Sequence, residues 1–374
     1  MDKHLHIISL DIPWPADYGG VVDIFYKIVW LHKLGIKIHL HCFSSGRPPQ
    51  DELDQYCETV HYYSRKKFPQ GISFPLPYIV SSRRDKELLK NLQQDEYPVF
   101  MEGIHCTFLL YNAALKNRKV FVRLHNVEYN YYQQLAIHEK NFLKKIYFKT
   151  ESFLLKRYEK KIANKTTFWP LSLHDTAVYK KEFGAERIDF LPVFLPWHEV
   201  IFHNNKKGCF CLYHGNLSVN ENEKAVEWLL AKVFNNISIP FVIAGKNPSE
   251  RLEKMVHENK HCCLVSNPSD KEMQDLIKKS QVNILPSFNN TGVKLKVLNA
   301  LFNGKYCLVN QAAADGAGID GLCHIANTAE EFKKAVTELY AQPFNEEDAL
   351  NRQQVLDATY NDEKNARQLI EWIY

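Results

Sequence analysis

The chain reads as two doubly wound α/β domains in tandem, and three observations predict this. Short apolar strands alternate with amphipathic helices through almost all of the 374 residues, which is the pattern of parallel sheets built from βαβ units. The alternation breaks at Pro192-Val193-Phe194-Leu195-Pro196-Trp197 and then starts again. The length suits two domains of ordinary size. The expected boundaries are 1–195, 196–345 and a terminal helical segment 346–374. Ligands of such domains sit at the carboxyl ends of parallel strands.

In the first half, strands are expected at 4–10, 37–43, 59–63, 99–102, 120–124, 167–170 and 189–191. Helices fall between them at 21–34, 84–91, 106–115, 143–163 and 173–182. In the second half, strands at 210–214, 241–244, 262–264, 282–285 and 306–310 alternate with helices at 221–234, 251–258 and 270–279. Helices at 329–340 and within 349–372 close the chain. Each strand is a short apolar run, and each helix carries apolar residues at three- and four-residue spacing.

Composition narrows the class. The chain is 45% hydrophobic and 24% charged, as in soluble globular proteins. A net charge of +4 is too small to imply nucleic acid as a partner. No apolar run approaches the roughly 20 residues that span a bilayer. The N-terminus lacks a basic start and a long apolar core, so no signal peptide is read and a cytoplasmic location is expected. The nine cysteines show no CxxC and no zinc-ligand spacing, so they are expected to be reduced and structural, with no metal site.

The most informative segment is Asn290-Thr291-Gly292-Val293-Lys294-Leu295-Lys296, continuing to Asn303-Gly304. It follows a strand, reads as a helix starting near Gly292, and stops at Gly304. A helix start with a glycine and two lysines suits a phosphate-bearing ligand. Residues two apart on a helix differ by about 200°, so Lys294 and Lys296 would not both face one phosphate, and one of them is expected in solvent.

Other strand ends carry polar groups. Gly19-Gly20 follows the first strand and permits close backbone approach, although it is not a dinucleotide fingerprint and also reads as a plain turn. The fourth and fifth strands end in Glu102-Gly103-Ile104-His105 and His125-Asn126-Val127-Glu128. Together Glu102, His105, His125 and Glu128 would offer acid–base groups and hydroxyl partners in one crevice. In the second half, Gly215-Asn216 and Lys246 occupy comparable ends.

These segments resemble the GT-B glycosyltransferases, especially the retaining enzymes of family 4 (glycosyltransferase group 1), over nearly the whole chain. The resemblance implies two Rossmann-like domains facing across a cleft, with the terminal helices packing back on the first. It implies a metal-independent retaining transfer of a sugar from a nucleotide-sugar donor, UDP- or GDP-linked, to a hydroxyl of a glycan or lipid-linked acceptor, as in polysaccharide biosynthesis. No cofactor beyond that donor is implied. The transferred sugar would be a hexose, with mannose the guess.

The resemblance places the acceptor in the first domain and the nucleotide in the second. It implies sugar contact by His125, with Glu102, Asn126 and Glu128 in the catalytic wall, and donor contact by Gly19, Gly20, Gly215, Asn216, Lys246, Thr291, Gly292, Val293, Lys294, Lys296 and Asn299. The family typically has glutamates where this chain has Thr291 and Asn299, and often an Arg and a Lys around Asn216 and Asn222. Thr291 would then bond the sugar and Asn299 the ribose, with positive charge left to Lys246, Lys294 and Lys296. The missing glutamates also motivate a catalytically silent glycan-binding or partner subunit of the same fold. A nucleotide-sugar epimerase would want more carboxylates and histidines near the diphosphate.

The segment from Lys140 to Lys165 holds nine Lys/Arg against Glu151 and Glu159. A long domain helix with lysines in water explains most of it. Peripheral contact with the inner face of the cytoplasmic membrane stays open for its first half and for residues 64–84.

Overall fold

The computed structural model describes residues 2–44, 46–202, 207–289, 291–319 and 321–374. Asn290, the first residue of the segment singled out above, lies outside the described residues. The chain divides into two compact units, Met1–Pro196 with Tyr360–Tyr374, and Trp197–Thr359.

The first unit contains β1 (Lys3–Ser9), β2 (Ile36–Ser44), β3 (Thr59–Ser64), β4 (Val99–Glu102), β5 (Val120–Leu124) and β6 (Thr167–Pro170). They form one sheet in the order β3-β2-β1-β4-β5-β6, with every pairing parallel. The second unit contains β7 (Cys211–Asn216), β8 (Phe241–Lys246), β9 (Cys262–Ser266), β10 (Val282–Ile284), β11 (Tyr306–Val309) and β12 (His324–Ile325). Their order, β12-β11-β10-β7-β8-β9, repeats the first. In each sheet the strand order reverses beside the first strand, between β1 and β4 and between β7 and β10, which is where such sheets open a ligand crevice.

Central strands buried on both faces need near-continuous apolar runs, and Val120–Leu124 is buried throughout. Trp169 stacks with Phe100, Phe121 and Trp372 at centroid distances of 5.6, 4.8 and 5.5 Å. Trp372 belongs to helix Asp362–Ile373, whose Ala366, Leu369 and Ile373 complete the same core. Several helix starts carry side-chain caps: Ser172, Ser249 and Asn361 each accept a backbone N–H, and Ser269 with Glu272 and Thr328 with Glu331 form capping boxes.

Four expectations need correction. Residues 189–191 form no strand, although Asp189 and Leu191 donate to Phe168 and Pro170 of β6. Residues 106–115 give only the short helix Phe108–Tyr111. Helix Glu128–His138 replaces the expected strand end. The terminal segment divides: helix Glu346–Thr359 belongs to the second unit, and only Asp362–Ile373 packs on the first. The reason is Arg352, whose buried guanidinium donates to the carbonyls of Leu301, Gly304 and Lys305 at 3.0, 3.0 and 2.7 Å. It thereby satisfies buried carbonyls at the C-terminal end of helix Leu295–Asn303.

Candidate active site

At the ends of β4 and β5 the first unit buries a network of charges. Helix Gly19–Lys33 presents Asp23 and Lys27 one turn apart, both inaccessible to solvent. Arg123 grips Asp23 with both arms, Nε at 3.0 Å and Nη2 at 2.8 Å. It also donates to the carbonyls of Leu191 and Pro192. Lys27 Nζ lies 2.9 Å from Asp23 and 2.7 Å from Glu102. Burial opposes ionisation of Asp23, yet Arg123 and Lys27 hold its carboxyl well below the usual range. Glu102 in turn meets His125 Nε2 at 3.0 Å. His125 is 7% exposed, and its Nδ1 has no partner among the described residues. Asp23, Glu102 and His125 bring ligand atoms within 4.8 Å of one another. The ammonium of Lys27 already meets both carboxylates, so these residues suit an internal cation better than a metal.

Two of the four expected crevice residues therefore touch. His105 lies near enough to His125 to feel its charge, and burial with Arg83 and His125 pushes its pKa well down. Gly103 makes the turn between Glu102 and His105 at φ 75°, where a Cβ would come 2.9 Å from His105 Nδ1. Glu128 is buried, 3% exposed. It opens helix Glu128–His138, whose first N–H groups, on Glu128 and Tyr129, donate to Glu159 at 3.0 Å each. Burial and the neighbouring Glu159 push Glu128 up to about 8, which favours its protonated form. Glu159, which also accepts from Tyr179, is raised by burial to about 7.

Gly19 and Gly20 open helix Gly19–Lys33 without a side-chain cap. Tyr18 packs over Gly20, where a Cβ would lie 2.9 Å from Cε2. The Tyr18 hydroxyl donates to Asp11 at 3.0 Å, and Arg47 covers its ring while donating to Ile12 and Pro15 carbonyls.

In the second unit, polar groups gather at the ends of β7 and β10. Lys296 Nζ donates to Asn222 Oδ1 at 3.0 Å and Tyr213 OH at 3.2 Å. Burial, with a smaller contribution from Lys294, lowers Lys296 to about 8, although Glu221 opposes this. His214, 4% exposed, is pushed down to about 3 by burial and by Lys296, and its Nε2 is unpaired among the described residues. Thr291, 6% exposed, also has an unpaired hydroxyl. Ser287 fixes the turn before it, donating to Glu221 at 2.6 Å and to the Asn289 carbonyl at 2.9 Å.

The helix here starts at Leu295 rather than Gly292, because Gly292 adopts φ 63°. Lys294 is the residue before the helix, and its Nζ donates to the Thr291 carbonyl at 2.7 Å. Since Lys294 is not helical, the rotation argument does not apply. Both lysines are partly buried and hydrogen-bonded, so neither is the expected solvent lysine. Val293 lies in the same partly buried turn, and Asn299 accepts from Asn303 at 2.9 Å.

Asn216 accepts from Ser218 through its side chain and from Asn222 through its carbonyl. Lys246 is exposed at the end of β8. Gly215 and Gly245 let β7 and β8 approach closely, since a Cβ at residue 245 would lie 2.0 Å from the Gly215 carbonyl oxygen.

With this geometry in view, residues 209–342 match the model of the glycosyl transferases group 1 family. A protein of the cps region of Klebsiella pneumoniae, described as an uncharacterized 44.6 kDa protein, is 30% identical over 332 residues, 83% of this chain and 84% of that one. The chain belongs to the glycosyl transferases group 1 family. Its fold is GT-B, as the solved structures agree. Sucrose-phosphate synthase from Thermosynechococcus elongatus superposes with a TM-score of 0.73 at 14% identity, covering 99% of this chain and 98% of that one. S. aureus TarM, solved with fondaparinux, alpha-GlcNAc-glycerol and UDP, gives 0.66 at 10% identity, with 99% of each chain covered.

Sequence reasoning for this family member missed Asp23, Lys27, Arg123, Tyr213, His214 and Glu159. Asp23 and Lys27 left a signal, an i, i+4 charge pair inside an otherwise apolar helix face.

Proposed function

We propose that the chain transfers a hexose from a UDP- or GDP-linked donor to a hydroxyl of a glycan or lipid-linked acceptor, with retention and without a metal. The observation that carries this reading is the set of buried groups at the ends of β7 and β10 that are unpaired among the described residues: His214 Nε2, close to the Lys296 ammonium, and Thr291 Oγ1, whose backbone carbonyl accepts from Lys294. Buried polar atoms ordinarily have partners. Here they adjoin a helix start and a cation, which together favour a diphosphate. Lys296 and the first N–H groups of helix Leu295–Asn303 would carry the charge of the leaving diphosphate. Thr291 would bond the sugar. In the first unit, Glu102 orients His125, which would contact the transferred sugar. Glu102 is a positioning residue in this scheme, because it is inaccessible to solvent.

The test is turnover and hydrolysis of a panel of UDP- and GDP-sugars with glycan acceptors. Transfer that falls at least tenfold in His125→Ala supports the reading. The lack of the two glutamates favours a second, a silent binding subunit, for which nucleotide-sugars would bind without turnover across the panel. Absence of any nucleotide binding would overturn both.

A further inference from the structure

Helix Phe142–Ile162 has two faces of opposite kind. Glu151, Leu155, Tyr158, Glu159 and Ile162 are buried. Phe142 is 73% exposed, Phe153 59% and Ile146 46%. At about 100° per residue, these three side chains centre roughly opposite the buried set. Both acidic residues of the helix are in the buried set, so its exposed face carries only positive charge, from Lys149, Lys156, Arg157 and Lys160. Leu143 and Tyr147, also exposed, extend the apolar surface along one flank.

That flank adjoins a second apolar element. The N–H of Ile79, in helix Tyr78–Ser81, donates to Glu151 at 3.0 Å. Ser81 donates to the Gly71 carbonyl at 2.7 Å, which ties in the loop 66–77. The loop starts with Lys66 and Lys67 and displays Phe68, Ile72 and Phe74, the last 83% exposed. On the other side of the helix, a groove of about 530 Å³ runs against helix Glu128–His138. Ile137 and Phe153 share its lining with Lys145, Lys149 and Lys156.

We propose that this surface of the first unit docks on an anionic lipid bilayer, with the exposed apolar side chains entering the interface and the flanking lysines meeting lipid phosphates. The chemistry favours a bilayer over a protein. Protein interfaces deplete lysine and seat aromatic anchors in pockets, whereas lysine-flanked aromatic and aliphatic side chains on an amphipathic helix are what a charged lipid surface takes up. The inference is independent of donor chemistry, since none of these residues belongs to the proposed site.

The test is flotation of the full chain with vesicles of phosphatidylcholine alone and of phosphatidylcholine mixed with phosphatidylglycerol. Binding is expected to the mixed vesicles, with at least a tenfold loss in the Phe142→Ser/Phe153→Ser variant and in the Lys149→Glu/Lys160→Glu variant. All four positions are exposed, so the variants should keep the wild-type melting temperature and nucleotide affinity. No binding to mixed vesicles, or equal binding by all three proteins, overturns the proposal. So does a wild-type dimer abolished by the same substitutions without any vesicle binding, which would assign the surface to a second copy of the chain.

Discussion

At the ends of β4 and β5 the first unit packs Asp23, Lys27, Glu102 and Arg123 into a network in which cations and carboxylates answer one another at 2.7–3.0 Å. At the ends of β7 and β10, the second unit leaves His214 Nε2, close to Lys296, and the Thr291 hydroxyl, next to Lys294, unpaired among the described residues. The two sheets share one strand order, so topology alone does not separate these behaviours. The side chains do. The first unit neutralises itself and fixes His125 in place. The second keeps hydrogen-bonding capacity and positive charge available for a ligand.

Removing a cation from the self-neutralised network should have the largest effect. Lys27→Met leaves Asp23 and Glu102 buried with one cation fewer. Loss of one partner in a buried ion pair costs about 3–5 kcal/mol, to be read as a lowered urea midpoint. A change below about 1 kcal/mol would show that the network does not hold the unit together.

In the second unit, proton affinity sharpens the contrast. Burial lowers Lys296 to about 8. Its charged form binds a diphosphate, so nucleotide affinity should be full well below pH 8 and decline as pH rises through that value. Calorimetric titration between pH 6.5 and 9 checks this. In Lys296→Ala, whose alanine has no titrating amine, the decline should disappear, and a decline of unchanged size would shift the role to another group.

Glu128 tests whether the first unit contains a carboxyl with no charge role. Folded, it keeps its proton up to about 8, whereas in the unfolded chain it releases it near 4.5. Its contribution to stability is therefore complete below 4.5 and is lost as pH rises from there through 8. Glu128→Gln preserves the neutral form. It should stabilise the protein at pH 8 and change little near pH 4.5. Denaturant curves at the two pH values decide it, and destabilisation at pH 8 would mean that Glu128 acts as a carboxylate.

The sequence made the strand–helix alternation legible because buried parallel strands and amphipathic helices leave distinct periods. Gly304 marked its helix end correctly. Helix Glu128–His138 was hidden, since Glu-Tyr-Asn-Tyr-Tyr-Gln-Gln shows weak apolar periodicity and its start is satisfied by Glu159, distant in sequence. The contact of Glu102 with His125 was foreseeable from neighbouring strand ends, but the partners behind it were not. Arg123 looks like one polar residue in an apolar strand, and only the fold brings Asp23 to it across 100 positions. The exposed apolar face of helix Phe142–Ile162 was equally ambiguous, because sequence periodicity finds apolar side chains without telling which of them meet a core.

The most direct test of the contrast is calorimetric titration of UDP and GDP into the wild type, Lys296→Ala and His125→Ala at pH 7. Saturable binding of at least one nucleotide is expected. Loss of a hydrogen bond to a charged group, about 1.5–3 kcal/mol, should weaken it roughly ten- to a hundredfold in Lys296→Ala. Binding should be unchanged in His125→Ala. Equal affinity in the wild type and Lys296→Ala, or a loss confined to His125→Ala, would contradict that contrast.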